Sequence, residues 1–199
     1  MQSIYFVDSN FTYESSKKSI LSIRYATDGF SFCVHDETGK LVVFVHEPYA
    51  ADSREAAVAR LKNYVVNDAI LNLRFKKVYI MPCFKEKLLV PGAFFDKANI
   101  TTLYTVNQEV SPDDTILYHH IEGIEAYLVG TVISSFHDFV REHFPVFQIV
   151  NGAYPFILGA MGKALRDTEQ IFLDIQDNYF DLLFIRDSGI QLFNTFSYK

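Results

Sequence analysis

Leu21 to Phe44, LSIRYATDGFSFCVHDETGKLVVF, is the stretch from which the rest of the chain can be read. Leu21, Ile23 and Tyr25 alternate with more polar residues, Phe30, Phe32 and Val34 do the same, and Leu41 to Val45 is almost continuously apolar. Successive side chains of a strand point to opposite faces, so this spacing predicts three strands, each with a face to bury. Thr27-Asp28-Gly29 and Glu37-Thr38-Gly39 separate them, each with a glycine where a tight turn asks for positive φ. The stretch is therefore expected to be a three-stranded antiparallel meander.

A relative of it returns at Ile171 to Phe193, IFLDIQDNYFDLLFIRDSGIQLF. The ungapped shift that carries Leu21 onto Ile171 also sets Ile23 and Tyr25 on Leu173 and Ile175, and Phe30, Phe32 and Val34 on Phe180, Leu182 and Phe184. Phe30 on Phe180 and Gly39 on Gly189 are the clear matches. Any two amphipathic meanders share the alternation, so the argument for a duplication is the repeated order of strand and turn.

Between the two copies the chain changes period. Asp52 reads as an N-cap with Glu55 completing a capping box, and Val58, Leu61 and Val65 give the helix that follows one apolar face, with a continuation past Asn67 towards Leu73. Val78 to Met81 is a short buried strand. A helix between two apolar strands signals a crossover and a partly parallel sheet. Residues 1–17 read as an irregular arm that packs Ile4, Phe6 and Val7 on the body. Residues 82–114 are the least regular. Thr115 to Ile121 and Ile124 to Val129 read as a hairpin, Val132 to Phe144 as a helix and Val146 to Val150 as a buried strand. Asn151 is expected to cap a further helix, in which Gly159 and Gly162 leave room for close packing.

Composition narrows the classes of function. With 49% hydrophobic residues the 199-residue chain can bury a substantial core, and its 19 Phe and 12 Tyr suit pleated surfaces. A net charge of −6 argues against general affinity for nucleic acid or anionic lipid, although Arg74, Lys76 and Lys77 form a small basic group. Cys33 and Cys83 have no CxxC partner and read as reduced core thiols of a cytoplasmic protein. The N-terminus has no apolar core before a small-residue cleavage site. Phe144 to Gly162 carries no charge, but Pro145, Gln148, Asn151, Gly152 and Pro155 break it, so no membrane insertion is expected.

Three antiparallel strands followed by a helix and a parallel strand, begun twice in one chain, resemble the actin-like ATPase (ribonuclease H-like) fold. More closely, the chain resembles a family of bacterial proteins of unknown function, found mainly in Bacteroidetes and distantly like PilM-type pilus assembly proteins. The residues that carry this are Leu21 to Val34, the Leu88-Leu89-Val90-Pro91 segment with Phe94-Phe95, and the close Leu192-Phe193-Asn194-Thr195-Phe196-Ser197-Tyr198. The resemblance implies an α/β, duplicated actin-like architecture. Residues 1–150 would form a first lobe with an irregular insert near 82–130, and residues 151–199 the start of a second, incomplete lobe.

The resemblance also implies where nucleotide chemistry would sit. In active members of that fold the turn after the first strand of each lobe combines an Asp with Gly and Ser/Thr, so that backbone N–H groups wrap phosphates and the carboxylate orients hydrated Mg²⁺. The matching turns here are Ala26-Thr27-Asp28-Gly29 and Gln176-Asp177-Asn178-Tyr179. The first has one glycine and the second none, so both are read as hairpin turns, and Thr27, Asp28, Gly29, Asp177 and Asn178 stand as the alternative cofactor-binding set. A two-metal nuclease needs converging carboxylates, yet Arg24 occupies the position that Asp174 holds in the second copy. His119-His120 with Glu122, and His137 with His143, are spaced to diverge, and HExxH, GxSxG, GxGxxG and GxxxxGK[ST] are all absent. The expectation is a protein without catalytic residues, metal or cofactor that works through an unknown protein partner or self-association. A Mg-nucleotide-binding ATPase or switch is the alternative.

Overall fold

The computed structural model describes residues 2–198. The arm expected at the N-terminus is ordered into the sheet: β1 (Ile4–Val7) pairs antiparallel with β4 (Leu41–Pro48), setting Tyr5 opposite Val45 and Val7 opposite Val43. A short segment gains strand structure when an open sheet edge offers its backbone partners. After α1 (Tyr13–Ser16) comes the expected meander of β2 (Ile20–Ala26), β3 (Gly29–His35) and β4. Its register sets Leu21 opposite Val34, Ile23 opposite Phe32 and Tyr25 opposite Phe30, and all six are buried on one face.

Helix α2 (Arg54–Asn67) covers that face with Ala57, Val58, Leu61 and Val65. Its cap is Ser53 rather than Asp52. Ser53 is extended, and its hydroxyl oxygen accepts from the Ala56 N–H at 3.1 Å, which leaves Glu55 one place too early for a capping box. The helix stops at Asn67 because Asp68 turns extended, takes the Ile70 and Leu71 N–H groups on its carboxylate, and is followed by Asn72, whose amide donates to the Val65 carbonyl. The crossover delivers β5 (Lys77–Pro82) parallel to β2, with Ile23 beside Ile80.

The chain then enters β6 (Lys87–Pro91), a 3₁₀ turn at Gly92–Phe94, α3 (Ile100–Asn107), β7 (Asp114–His120) and β8 (Ala126–Ile133), and continues into α4 (Ser134–His143) and β9 (Phe147–Ile149). β9 lies parallel to β5 and completes a six-stranded mixed sheet of order β1-β4-β3-β2-β5-β9. Phe136 of α4 meets Tyr25 edge-on at 5.1 Å, and Tyr64 of α2 meets Phe30 at 4.5 Å, so both crossover helices pack on the same face.

The remaining elements are α5 (Ala153–Met161), β10 (Glu169–Ile175), β11 (Tyr179–Arg186) and β12 (Gly189–Ser197). Two compact units result. One comprises the chain up to Phe84 with Ile133–Val150, the other Lys85–Val132 with the chain from Asn151 onward. The region near 82–130, read from the sequence as an insert of the first lobe, thus contributes its bulk to the second unit.

That second unit holds two three-stranded sheets, β6-β8-β7 and β10-β11-β12. Alternation along β8 divides its core. Leu128 packs with Ile121, Ile157, Leu183 and Ile185, whereas its neighbour Val129 packs with Val90, Ile100 and Tyr104. The N-cap of α5 is Gly152 rather than the expected Asn151, which stands one place earlier and accepts the Ala153 N–H on its Oδ1 at 2.9 Å. Gly159 has open space where a Cβ would stand, so no close packing requires it. The second meander repeats the register of the first: Ile171 opposes Phe184, Leu173 opposes Leu182 and Ile175 opposes Phe180.

Candidate functional site

In the first unit β2 and β5 run parallel and end together at Ala26 and Pro82, and the carboxyl ends of parallel strands are where α/β sheets usually receive ligands. Thr27, Asp28 and Gly29 lie there. The loop of Thr27 and Asp28 has negative φ at both residues, so its N–H groups do not form the αR–αL concavity that binds anions. Its carbonyls are engaged instead: the Ala51 N–H donates to Thr27 O at 2.8 Å and the Tyr49 N–H to Asp28 O at 3.1 Å. The Asp28 carboxylate lies 3.5 Å from the Arg24 guanidinium.

Gly29 has φ +150°, and a Cβ there would stand 2.7 Å from the Glu47 carbonyl and 3.1 Å from Pro48 Cα. The glycine therefore lets β3 approach β4. Around this end, Tyr25 is buried, its hydroxyl pushed up in pKa by desolvation, with Phe84 edge-on at 5.5 Å and the Arg54 guanidinium 5.4 Å from the Phe84 ring. Burial also raises the Tyr49 hydroxyl to about 12, and Arg60 sits over its ring at 5.1 Å.

In the second unit Asp177 and Asn178 form the equivalent exposed loop, again with negative φ. The Gln176 N–H donates to Tyr179 O at 2.9 Å and the Tyr198 N–H to Asn178 O at 3.0 Å, while the Tyr198 hydroxyl donates to Gln176 O. These bonds close the hairpin and tie the end of β12 to it.

The histidines do not gather. His119 faces the Tyr154 ring and His120 the Tyr127 ring, His137 lies against Phe147, and His143 stacks near Phe139. Among the described residues no group of three or more His, Cys, Asp or Glu is arranged to hold a metal ion, and Cys33 and Cys83 are free thiols.

Sequence reasoning missed a deeply buried polar cluster. Lys87 of β6 and Asp181 of β11 form an ion pair at 2.9 Å, each side chain only 2% exposed. The Thr195 hydroxyl donates to the same carboxylate oxygen at 2.6 Å, and the Lys87 ammonium sits 4.6 Å from the centre of the Tyr179 ring. Burial pushes the Asp181 carboxyl above the ordinary aspartate range, and Lys87 and Thr195 pull it back. A cavity of about 320 Å³ opens beside the pair, lined by Lys87, Gln108, Asn194, Thr195 and Ser197 among others. The available signal was the period of β11, in which Tyr179, Asp181, Leu183 and Ile185 all face inward, so that an acid stands on a core-facing position.

Comparison with known proteins agrees with the resemblance read from the meander. Over 94% of its length the chain is similar to the crystal structure of a Bacteroides thetaiotaomicron protein with an actin-like ATPase fold and unknown function, at a TM-score of 0.86 and 22% identity, and it spans 73% of that chain. A structure of the PilM–PilN type IV pilus biogenesis complex is similar over 89% of this chain and 61% of its own, at a TM-score of 0.53 and 12% identity. At these identities the likeness is one of fold, and the fold is the actin-like ATPase fold. No curated protein matches the chain. No helix among the described residues is long and apolar enough to cross a membrane. A family described as "Protein of unknown function (DUF3822)" matches residues 8–199, and the chain belongs to it.

Proposed function

We propose that this chain is a non-catalytic cytoplasmic protein that keeps the sheets of the actin-like fold, has lost its phosphate chemistry and acts through contacts with another protein. The observation that carries the reading is the use made of the two turns. Thr27 O, Asp28 O, Gln176 O and Asn178 O all accept structural hydrogen bonds, and all four central loop residues keep negative φ. Gly29, which would admit a phosphate in an active relative, is instead required by the approach of β3 to Glu47. The similar PilM–PilN structure supplies a precedent for this fold in a complex with another protein. Two free cysteines are in keeping with a reducing compartment.

The rival is a Mg-nucleotide ATPase or switch using Thr27, Asp28, Gly29, Asp177 and Asn178. Calorimetric and thermal-shift titration with Mg-ATP separates the two. No saturable heat and no shift in melting temperature are expected. Saturable stabilisation that Asp28→Ala abolishes would overturn the proposal in favour of the rival. Size-exclusion chromatography with light scattering then reads whether the partner is a second copy.

A further inference from the structure

The cavity of about 320 Å³ beside the Lys87–Asp181 pair contains none of the turn residues, and its walls come from one unit: β6, the end of α3 and β12. Alternation builds two of those walls. Along β12, Phe193, Thr195 and Ser197 share the inner face, set opposite Leu183, Asp181 and Tyr179 of β11. Along the chain through β6, Lys85, Lys87 and Leu89 recur at the same period, and all three line the cavity.

The polar part of this lining is cationic and hydroxylic. Lys87 is withdrawn from solvent beside Asp181, with the Thr195 hydroxyl committed to the same carboxylate. Lys85 is exposed at the mouth and makes no ion pair among the described residues. No acidic side chain stands among the described residues that line the space. Phe193 and Leu89 supply an apolar wall.

From this arrangement we infer that the cavity binds a small organic carboxylate, its anionic group between Lys85 and the Ser197 hydroxyl and its apolar body against Phe193 and Leu89. The inference goes beyond the protein-contact reading and does not rest on it.

Charge and size select the ligand. Lys85 and Lys87 against Asp181 leave a single positive charge in excess, which one carboxylate cancels. A phosphate monoester, carrying about −1.5 to −2 at neutral pH, would leave surplus negative charge in a partly buried place. Phosphate sites also draw on helix N-termini, whereas the helix end at this cavity, at Gln108, is the C-terminal end of α3 with its partial negative charge. Ligand pockets begin at about 300 Å³, so this one takes a small molecule. At about 30 Å³ for each water it holds on the order of ten waters, or a ligand of roughly as many non-hydrogen atoms.

The test uses the full ¹⁵N-labelled chain and follows its amide shifts on titration with benzoate and hexanoate, one flat and one flexible carboxylate of that size. Saturable shifts centred on residues 85–89 and 193–197 are expected with at least one of them. Benzamide, the neutral counterpart of benzoate, and phenyl phosphate, the dianion, are each expected to bind at least about tenfold more weakly. Lys85→Gln is expected to weaken carboxylate binding about fivefold and Ser197→Asp, which sets a like charge beside the ligand, at least about tenfold. Lys163→Gln, at an exposed lysine outside the cavity, should change nothing. If Ser197→Asp lowers the melting temperature, the exposed Lys85 variant decides alone. No saturable shift with either carboxylate, or shifts that saturate elsewhere in the chain, would overturn the inference. So would benzamide or phenyl phosphate binding as tightly as benzoate, or undiminished binding by Lys85→Gln. Mg-ATP binding would overturn the non-catalytic reading while leaving these carboxylate outcomes as they are.

Discussion

Lys87 Nζ lies 2.9 Å from Asp181 Oδ1 with both side chains almost wholly withdrawn from solvent, which makes this pair a tight constraint between β6 and β11. Removing one member leaves the other charge buried without its counterion, whereas removing both leaves a site that apolar groups can fill. Lys87→Met is therefore expected to destabilise the chain by about 3–5 kcal/mol in chemical denaturation. Lys87→Met combined with Asp181→Leu is expected to come within about 1 kcal/mol of wild type or exceed it. Equal losses in the single and double variants would show that the ammonium contributes only packing.

Gly29 offers a separate test of what the first turn is for. Its Cβ would stand 2.7 Å from the Glu47 carbonyl on a backbone with φ +150°, so Gly29→Ala combines a clash with a strained conformation. A loss of about 2–3 kcal/mol is expected, seen as a melting temperature lower by roughly 4–12 °C. Gly39, with φ +82° and open space around its Cβ position, is the control: Gly39→Ala carries strain alone and is expected to cost about 1 kcal/mol. Near-neutral Gly29→Ala would remove the structural reason for that glycine.

The meanders were legible because alternation over three consecutive strands is a local signal. It carries even the register that sets Leu21 against Val34 and Ile171 against Phe184. β1 was not legible, since Ile4–Val7 becomes a strand only through pairing with β4. Ser53 and Asp52 are both good caps, and only backbone geometry chooses between them. Whether the outer face of β10 is covered depends on elements that its own alternation does not encode, so the same pattern reads identically at buried Ile23 and at exposed Leu173. The Lys87–Asp181 pair depends on β6 meeting β11, a contact between distant segments, and the sequence offered only the inward position of Asp181.

The Thr195 hydroxyl bond to Asp181 carries a pH signature. Burial raises the Asp181 pKa above its unfolded value, so between the two values the folded chain binds more protons and this group's contribution falls as pH rises. Thr195 opposes that rise by favouring the ionised carboxylate. Thr195→Val is expected to move the Asp181 titration further upward in carbon-detected NMR and to cost about 1.5–3 kcal/mol where the carboxylate is ionised. The difference from wild type should shrink as pH falls through the folded pKa. A penalty independent of pH would assign the effect of Thr195 to packing.

The turn between β11 and β12 stores strain that a single substitution can release. Asp187 and Ser188 have φ of 51° and 64°, and Arg186 pairs directly with Gly189, so the two-residue loop is a type I′ turn built without glycine at either central position. Left-handed backbone costs a residue with a Cβ roughly 1–2 kcal/mol, less for Asp, whose short side chain can bond locally. Ser188→Gly keeps the turn and removes the clash at the position least suited to it. A gain of about 1 kcal/mol is expected, with a melting temperature higher by roughly 2–4 °C. Ser188→Val, β-branched at the same φ, is expected to cost at least as much as glycine gains. If both variants melt with the wild type, the loop relaxes to another conformation in solution and the pairing of β12 with β11 does not depend on it.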